Sequence, residues 1–190
     1  MNTAIFENIE SNVRSYCRSF PTVFVKAKGA VMTDEAGKDY IDFFAGAGAL
    51  NYGHNPDIMT ERVIRYLQEG GILHSMDMYT PAKREFLEYF QEKILSPRGL
   101  DYRIQFAGPT GTNAVEAAIK LARMNKGREN IFAFMGAFHG MTFGSLALTT
   151  DRCSRDAAGQ SLPNVTHIPA PYMFPELDTI QYMETLMEDD

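Results

Sequence analysis

The sequence predicts an α/β fold built on a parallel sheet, and three observations carry that expectation. From residue 57 onward, segments with helical apolar spacing alternate with short β-prone runs, the order that lays helices across parallel strands. Ahead of them lies a group of β-prone runs joined by turn residues, which reads as a small antiparallel meander. Between two of the later patterns, Gly108-Pro109-Thr110-Gly111-Thr112 carries a strand directly into a helix. Composition agrees with a soluble globular chain: of 190 residues, 45% are apolar and 22% charged. With 18 Lys and Arg against 24 Asp and Glu, the net charge is −6. An acidic chain without a basic cluster is a poor partner for nucleic acid. No apolar run approaches the roughly 20 residues that span a bilayer, and the opening MNTAIFENIE has no basic or apolar leader pattern. Cys17 and Cys153 lack metal or disulfide-framework spacing. A reducing, cytoplasmic setting is expected, with no membrane or nucleic-acid partner and no metal.

Each element has its own local reason. Ile5, Ile9 and Val13 recur every four residues and predict an amphipathic helix over residues 3–15. After Pro21 come Val23-Phe24-Val25 and Ala30-Val31-Met32; the turn Asp34-Glu35-Ala36-Gly37-Lys38 then leads into Tyr40-Ile41-Asp42-Phe43-Phe44, which alternates like a strand. The meander ends in the glycine-rich Phe44-Ala45-Gly46-Ala47-Gly48-Ala49. Ile58, Val63, Ile64 and Leu67 predict a helix over 57–69. Phe86, Leu87, Phe90 and Ile94 predict another over 81–95, with Pro81 in its first turn. Residues 102–106, 131–134 and 165–168 read as strands. A strong helix is expected from Asn113 to about Asn125, and Leu177, Ile180, Met183 and Met187 predict one over 176–188. No internal repeat or low-complexity segment is present.

The turn at 108–112 is the most informative segment. Asn113 stands three residues before Glu116, a variant of the capping-box spacing that marks a helix start. A helix N-terminus exposes unpaired N–H groups and a partial positive charge. Glycine there lets an anion approach the backbone, and the hydroxyls of Thr110 and Thr112 can add hydrogen bonds, so a phosphate is the expected guest. The loop lacks the Gly-Lys-Ser/Thr ending of a nucleotide-binding P-loop. Neither this turn nor Gly46-Ala47-Gly48-Ala49-Leu50-Asn51 supplies the third glycine of a dinucleotide fingerprint. A monophosphate cofactor remains the favoured guest; the alternative is a tight connection that binds nothing.

A second segment, Met135-Gly136-Ala137-Phe138-His139-Gly140, also leaves a strand, so both turns are expected on the carboxyl edge of the sheet, where ligands bind. Phe138 alone reads as packing and His139 alone as a structural residue. Beside a phosphate turn, Phe138 is better read as a platform for a flat ring.

The run Gly-Pro-Thr-Gly-Thr-Asn-Ala-Val-Glu-Ala-Ala-Ile-Lys-Leu-Ala-Arg over 108–123, followed by Ala137-Phe138-His139-Gly140-Met141-Thr142, resembles the class III pyridoxal-phosphate-dependent aminotransferases of fold type I. Asp42 to Pro56 resembles the N-terminal small-domain segment of that class. Residues 5–21, Met76-Asp77-Met78-Tyr79-Thr80 and Pro97 to Tyr102 are similar to diaminobutyrate–2-oxoglutarate aminotransferases, the enzymes of ectoine biosynthesis with relatives in siderophore pathways. The likeness covers essentially the whole chain. It implies residues 1–56 as part of a small domain and 57–190 as the first part of a large cofactor-binding domain. It implies Thr110, Gly111 and Thr112 at the phosphate of pyridoxal 5′-phosphate, Phe138 on its ring and His139 beside it. Gly46 and Ala47 would line the substrate entrance, or else serve close packing between domains. His54, His74 and His167 read as structural. The implied reaction passes the amino group of glutamate to aspartate semialdehyde in a homodimer; relatives acting on ornithine or 4-aminobutyrate are the alternative.

Such an enzyme needs a lysine that forms a Schiff base with the cofactor and then carries a proton, and an acid at the pyridine nitrogen. The lysines here are Lys26, Lys28, Lys38, Lys83, Lys93, Lys120 and Lys126, and none matches that motif. The expectation is therefore an N-terminal portion of a longer enzyme: inactive alone, with no catalytic residue of its own, and at most residual phosphate binding.

Overall fold

The computed structural model describes residues 3–188. It forms two compact units, one ending at Phe86 and one beginning at Leu87.

In the first unit, helix α1 runs from Ala4 to Ile9 and α2 from Tyr16 to Ser19. The helix expected over 3–15 is shorter than its apolar spacing suggests. Glu10 is extended, and Arg14 folds back to pair with Glu7 and Glu10 at 3.1 and 3.0 Å, so that Val13 lies outside the helix and fully exposed. The meander is as expected. β1 (Phe24–Lys28), β2 (Val31–Asp34) and β3 (Asp39–Ile41) pair antiparallel in chain order, with Ala27 opposite Met32 and Met32 opposite Tyr40. Asp34 builds the turn between β2 and β3. Its carboxylate accepts the amides of Ala36 and Lys38 and the hydroxyls of Tyr40 and Thr22. Those donors, the Lys38 amide first, outweigh its burial and hold its pKa below the usual carboxylate value.

β3 stops at Ile41 rather than running to Phe44. The cause is Asp42, whose Oδ1 accepts the amides of Phe44 and Ala45 at 2.8 and 3.0 Å and so bends the backbone out of the ladder. The single turn α3 (Ala45–Gly48) follows, with Gly46 and Ala47 left-handed at φ 58° and 55°. α4 spans Asp57–Gln68, after Pro56. α5 (Pro81–Phe90), whose last turn already belongs to the second unit, starts at Thr80, whose hydroxyl accepts the Lys83 amide. The helical pattern read to residue 95 continues beyond α5 as a wider turn over Gln91–Leu95 and a tight one over Ser96–Arg98, closed by left-handed Gly99.

In the second unit, α6 spans Gly111–Lys126, β4 Ile131–Phe134, α7 Phe143–Leu148, α8 Arg152–Asp156, β5 Val165–Ile168 and α9 Thr179–Glu188. β4 and β5 are parallel, Ile131 opposite Val165 and Phe134 opposite Ile168. A parallel pair of this kind needs a crossover connection, which the segment from α7 to α8 supplies. Ile119 of α6, Ala133 of β4 and Leu148 of α7 form the core, flanked by Val115, Ile131 and Val165. Two expectations are corrected. Residues 102–106 are not a strand: among the described residues β4 and β5 pair only with each other and 102–106 joins neither, so its β-prone composition alone does not make it one. And α9 starts at Thr179, not 176, because Asp178 caps it by accepting the amides of Ile180 and Gln181.

Candidate functional site

The glycine turn is built by its cap. Thr110 is the residue before α6, and it and Asn113 satisfy each other: Thr110 donates its hydroxyl proton to Asn113 Oδ1 at 2.7 Å and its amide to the same oxygen at 3.2 Å, while its Oγ1 accepts the Asn113 amide. The helix therefore begins two residues earlier than the Asn113–Glu116 spacing suggests, because the reciprocal pair lies at 110 and 113. Gly108, at φ 114°, passes so close to Asn113 that a β-carbon would sit 3.0 Å from its side chain. This cap commits the only proton of the Thr110 hydroxyl. The amides of Gly111 and Thr112 and the Thr112 hydroxyl have no protein partner recorded among the described residues. They form a donor set at the positive end of a 16-residue helix. An oxyanion fits it; a cation does not.

The aromatic loop after β4 is held by two threonines. Thr149, wholly buried, accepts the His139 amide at 2.9 Å and donates to the Gly140 carbonyl at 3.1 Å. Thr150 accepts the Gly136 amide and gives its own amide to the Ala137 carbonyl. Gly136 and Gly140 have φ of 79° and 134°, values that bend the loop back on itself. Phe138 is left 63% exposed, with its ring bordering a hollow of about 650 Å³ that also touches Arg152, Arg155 and His167. Burial holds His167 below the ordinary imidazole pKa, aided by the Arg155 charge and opposed by its contact with the Leu148 carbonyl. Arg155 donates from Nη1 to the carbonyls of Leu146, Ala147 and Thr149, closing the C-terminus of α7.

The two segments meet. A β-carbon on Gly140 would overlap the Thr112 hydroxyl, so the loop carrying Phe138 and His139 lies directly against the first turn of α6. One turn further along α6, Glu116 accepts the Ser145 amide at 3.0 Å and the Thr142 hydroxyl. Burial pushes the Glu116 carboxyl up, but the Thr142 hydroxyl, the Ser145 and Gly144 amides and Lys120 together hold it below its usual value. The sequence marks Glu116 only as a capping-box partner of Asn113 and Gly140 only as a loop glycine, and it points to neither Thr149 nor Arg155. Spacing adds only that Thr112 and Glu116 are four apart, as are Gly140 and Gly144.

Of the remaining candidates, Gly46 and Ala47 belong to the first unit, in the left-handed turn that Asp42 anchors. His54 meets Asp42 at 2.7 Å, and its backbone bridges Gly29, a structural part as expected. The backbone donors of Ala45 and Phe44 and the His54 ring hold Asp42 below the usual carboxylate pKa against its burial. No group of three or more potential metal ligands occurs among the described residues, and no described helix is long and apolar enough to cross a membrane. No lysine borders the Phe138 hollow.

The fold defines the class first. It matches the solved taurine:2-oxoglutarate aminotransferase from Bifidobacterium kashiwanohense, in complex with pyridoxal phosphate and glutamate. The TM-score is 0.77 and the identity 20%, over 97% of this chain and 43% of that one. A Bacillus anthracis aminotransferase matches with a TM-score of 0.77 at 22% identity, over 97% and 43%. This is the fold of the transaminases that use pyridoxal phosphate.

The family model described as aminotransferase class-III matches residues 14–189, and the chain belongs to that family, whose cofactor is pyridoxal phosphate. Among its relatives is a diaminobutyrate–2-oxoglutarate transaminase from Halalkalibacterium halodurans, 55% identical over 97% of this chain and 44% of the relative. The enzymes of the same description from Bordetella parapertussis and Halomonas elongata are 52% and 51% identical over the full chain, covering 44% and 45% of their lengths. The chain thus spans under half the length of the curated relatives it matches.

Proposed function

We propose that this chain is the phosphate-and-ring-binding part of a transaminase that moves the amino group of glutamate to aspartate semialdehyde, giving 2,4-diaminobutyrate and 2-oxoglutarate. The observation that carries the reading is the donor set of Gly111 and Thr112 lying against the Gly140 end of the Phe138 loop. The 51–55% identity to diaminobutyrate transaminases supports the choice of substrate.

In this reading residues 1–56 belong to the small domain and 57–190 to the large, cofactor-binding one. The amides of Gly111 and Thr112 and the Thr112 hydroxyl hold the cofactor phosphate. Thr110 sets that first turn through its cap. Phe138 covers one face of the pyridine ring and keeps water from it, His139 stands beside the ring, and Gly46 and Ala47 line the substrate's approach. Bound there, pyridoxal phosphate supplies an electron sink for the pair left when a substrate carbon loses its proton. The lysine that bonds the cofactor and carries that proton comes from outside these 190 residues, as does the acid at the ring nitrogen. The intact protein works as a cytoplasmic homodimer in ectoine biosynthesis.

The test is a donor and acceptor panel on the intact protein as its gene encodes it, following the oxo product of each donor and the amino product of each acceptor. Aspartate semialdehyde with glutamate is expected to give the highest kcat/KM. Faster turnover with ornithine or 4-aminobutyrate as donor would replace the substrate assignment. Borohydride reduction of the 190-residue chain with pyridoxal phosphate is expected to label no unique lysine; one stoichiometric label would refute an external lysine.

A further inference from the structure

We propose that Glu116 is a positioning residue. Through a seam between α6 and the segment 140–145, it fixes the distance between the phosphate donors and the Phe138 platform. The proposal rests on the cofactor reading above and adds a residue to it.

The seam has matched registers. On α6, Thr112 and Glu116 lie four residues apart and so share one helix face. Opposite them lie Gly140 and Gly144, also four apart. A β-carbon on Gly140 would overlap the Thr112 hydroxyl, and one on Gly144 would overlap the Glu116 carboxylate. Gly140, at φ 134°, lets the backbone approach Thr112 this closely, and a side chain at Gly144 would push the Glu116 carboxylate aside. Glu116 closes the seam chemically. Its carboxylate takes the Thr142 hydroxyl and the amides of Ser145 and Gly144, which stand at the N-terminus of α7, where a negative charge is favoured. Ser145 is wholly buried and bonds back to Thr142.

This carboxylate is more than a distant cap. The residues it grips follow Phe138 and His139 within a few positions, while its own helix begins with the phosphate donors. A ligand holding phosphate at one end and a planar ring at the other spans these two elements, so its fit depends on their separation. A ligand that is phosphate alone touches only one of them. The seam therefore governs how the ring is held and leaves the phosphate donors themselves unchanged.

The experiment compares Glu116→Ala, Glu116→Gln and Thr112→Val in the intact protein. It uses three readouts: pyridoxal phosphate affinity, the visible circular dichroism of the bound cofactor, and displacement of that cofactor by inorganic phosphate. Glu116→Ala is expected to weaken pyridoxal phosphate about tenfold and to lose most of the visible dichroism, with phosphate affinity within about twofold of the parent. Glu116→Gln, whose amide oxygen still accepts from Thr142 and Ser145, is expected to recover most of both. Unchanged dichroism and cofactor affinity in Glu116→Ala, or an equal loss of cofactor and phosphate affinity, would overturn the proposal. If Glu116→Ala does not fold, Gly144→Ala, which presses on the carboxylate from the other side, is held to the same split between ring and phosphate. Thr112→Val tests the underlying reading separately. It is expected to weaken phosphate and cofactor together, and no loss of either would sink the phosphate site itself and the seam's role with it.

Discussion

The two units of this chain are held together by different chemistry. Up to Phe86 the buried residues are Thr33, Asp34 and Thr80, all polar, while Ile5, Ile9, Phe43, Ile58, Val63 and Ile64 are exposed. From Leu87 onward the buried set is mostly apolar: Leu95, Ile119, Ala133, Leu146, Ala147, Leu148, Ile168 and Ala170. The first unit is shaped by carboxylates that gather backbone amides, Asp34 at one turn and Asp42 at another. The second is shaped by a core, onto which threonines and Glu116 tie the loops. A turn gathered by a carboxylate keeps its form without burying its neighbours, whereas a core fails when its volume is removed.

The comparison is open to attack at several strengths. The largest effect is expected from Ile168→Ala on β5, where a side chain 1% exposed is removed from the core. It should cost about 2–5 kcal/mol, read by denaturant titration, with the signal confined to the second unit. Acid comes next and separates the units by pH. Asp34, Asp42 and Glu116 have folded pKa values below their ordinary 3.8, 3.8 and 4.5, so their contribution is complete above those values and is lost as pH falls through the depressed ones. His167 is also depressed, from 6.5, so below that pH the unfolded chain takes up a proton the folded one resists. The second unit should weaken from about pH 6.5 downward and the first only below about pH 4, as followed by amide exchange in each unit.

A smaller effect is expected at Ala47. Its φ of 55° is costly for a residue with a β-carbon, and Ala47→Gly should stabilise the first unit by about 0.5–1 kcal/mol after the added freedom of the unfolded chain is offset. A stability loss would mean that the methyl group is packed. Smallest of all, breaking the exposed Arg62–Glu85 pair, 2.9 Å apart with both side chains about 70% exposed, should change the melting free energy by less than about 0.5 kcal/mol.

What the sequence revealed follows the same division. The meander, α4, α6 and the β4 and β5 strands were legible because local apolar spacing and turn residues decide them. Residues 102–106 were misread because strand formation depends on a neighbour as much as on Tyr102, Ile104 and Phe106. The short α7 escaped notice because its start is set by Glu116, 26 residues before Thr142, and no local pattern reports such a partner. The helix start after the turn at 108–112 was legible, but its reciprocal cap lies at Thr110 and Asn113 rather than at Asn113 and Glu116. The apolar positions of α1 pointed to a longer helix because spacing is blind to Arg14 turning back on Glu7 and Glu10. The roles of Thr149 and Arg155 in holding the aromatic loop also depend on contacts made after folding.

The parallel pair β4–β5 has a consequence for handling the molecule. Each strand has one described neighbour, so each presents an outer row of amide and carbonyl groups without a ladder partner. Such rows template the addition of further strands, whether from the same polypeptide or from another copy. These rows are expected to make the isolated 190-residue chain associate more as its concentration rises. Its behaviour in the test tube is set as much by what its sheet lacks at the margins as by the core that holds it.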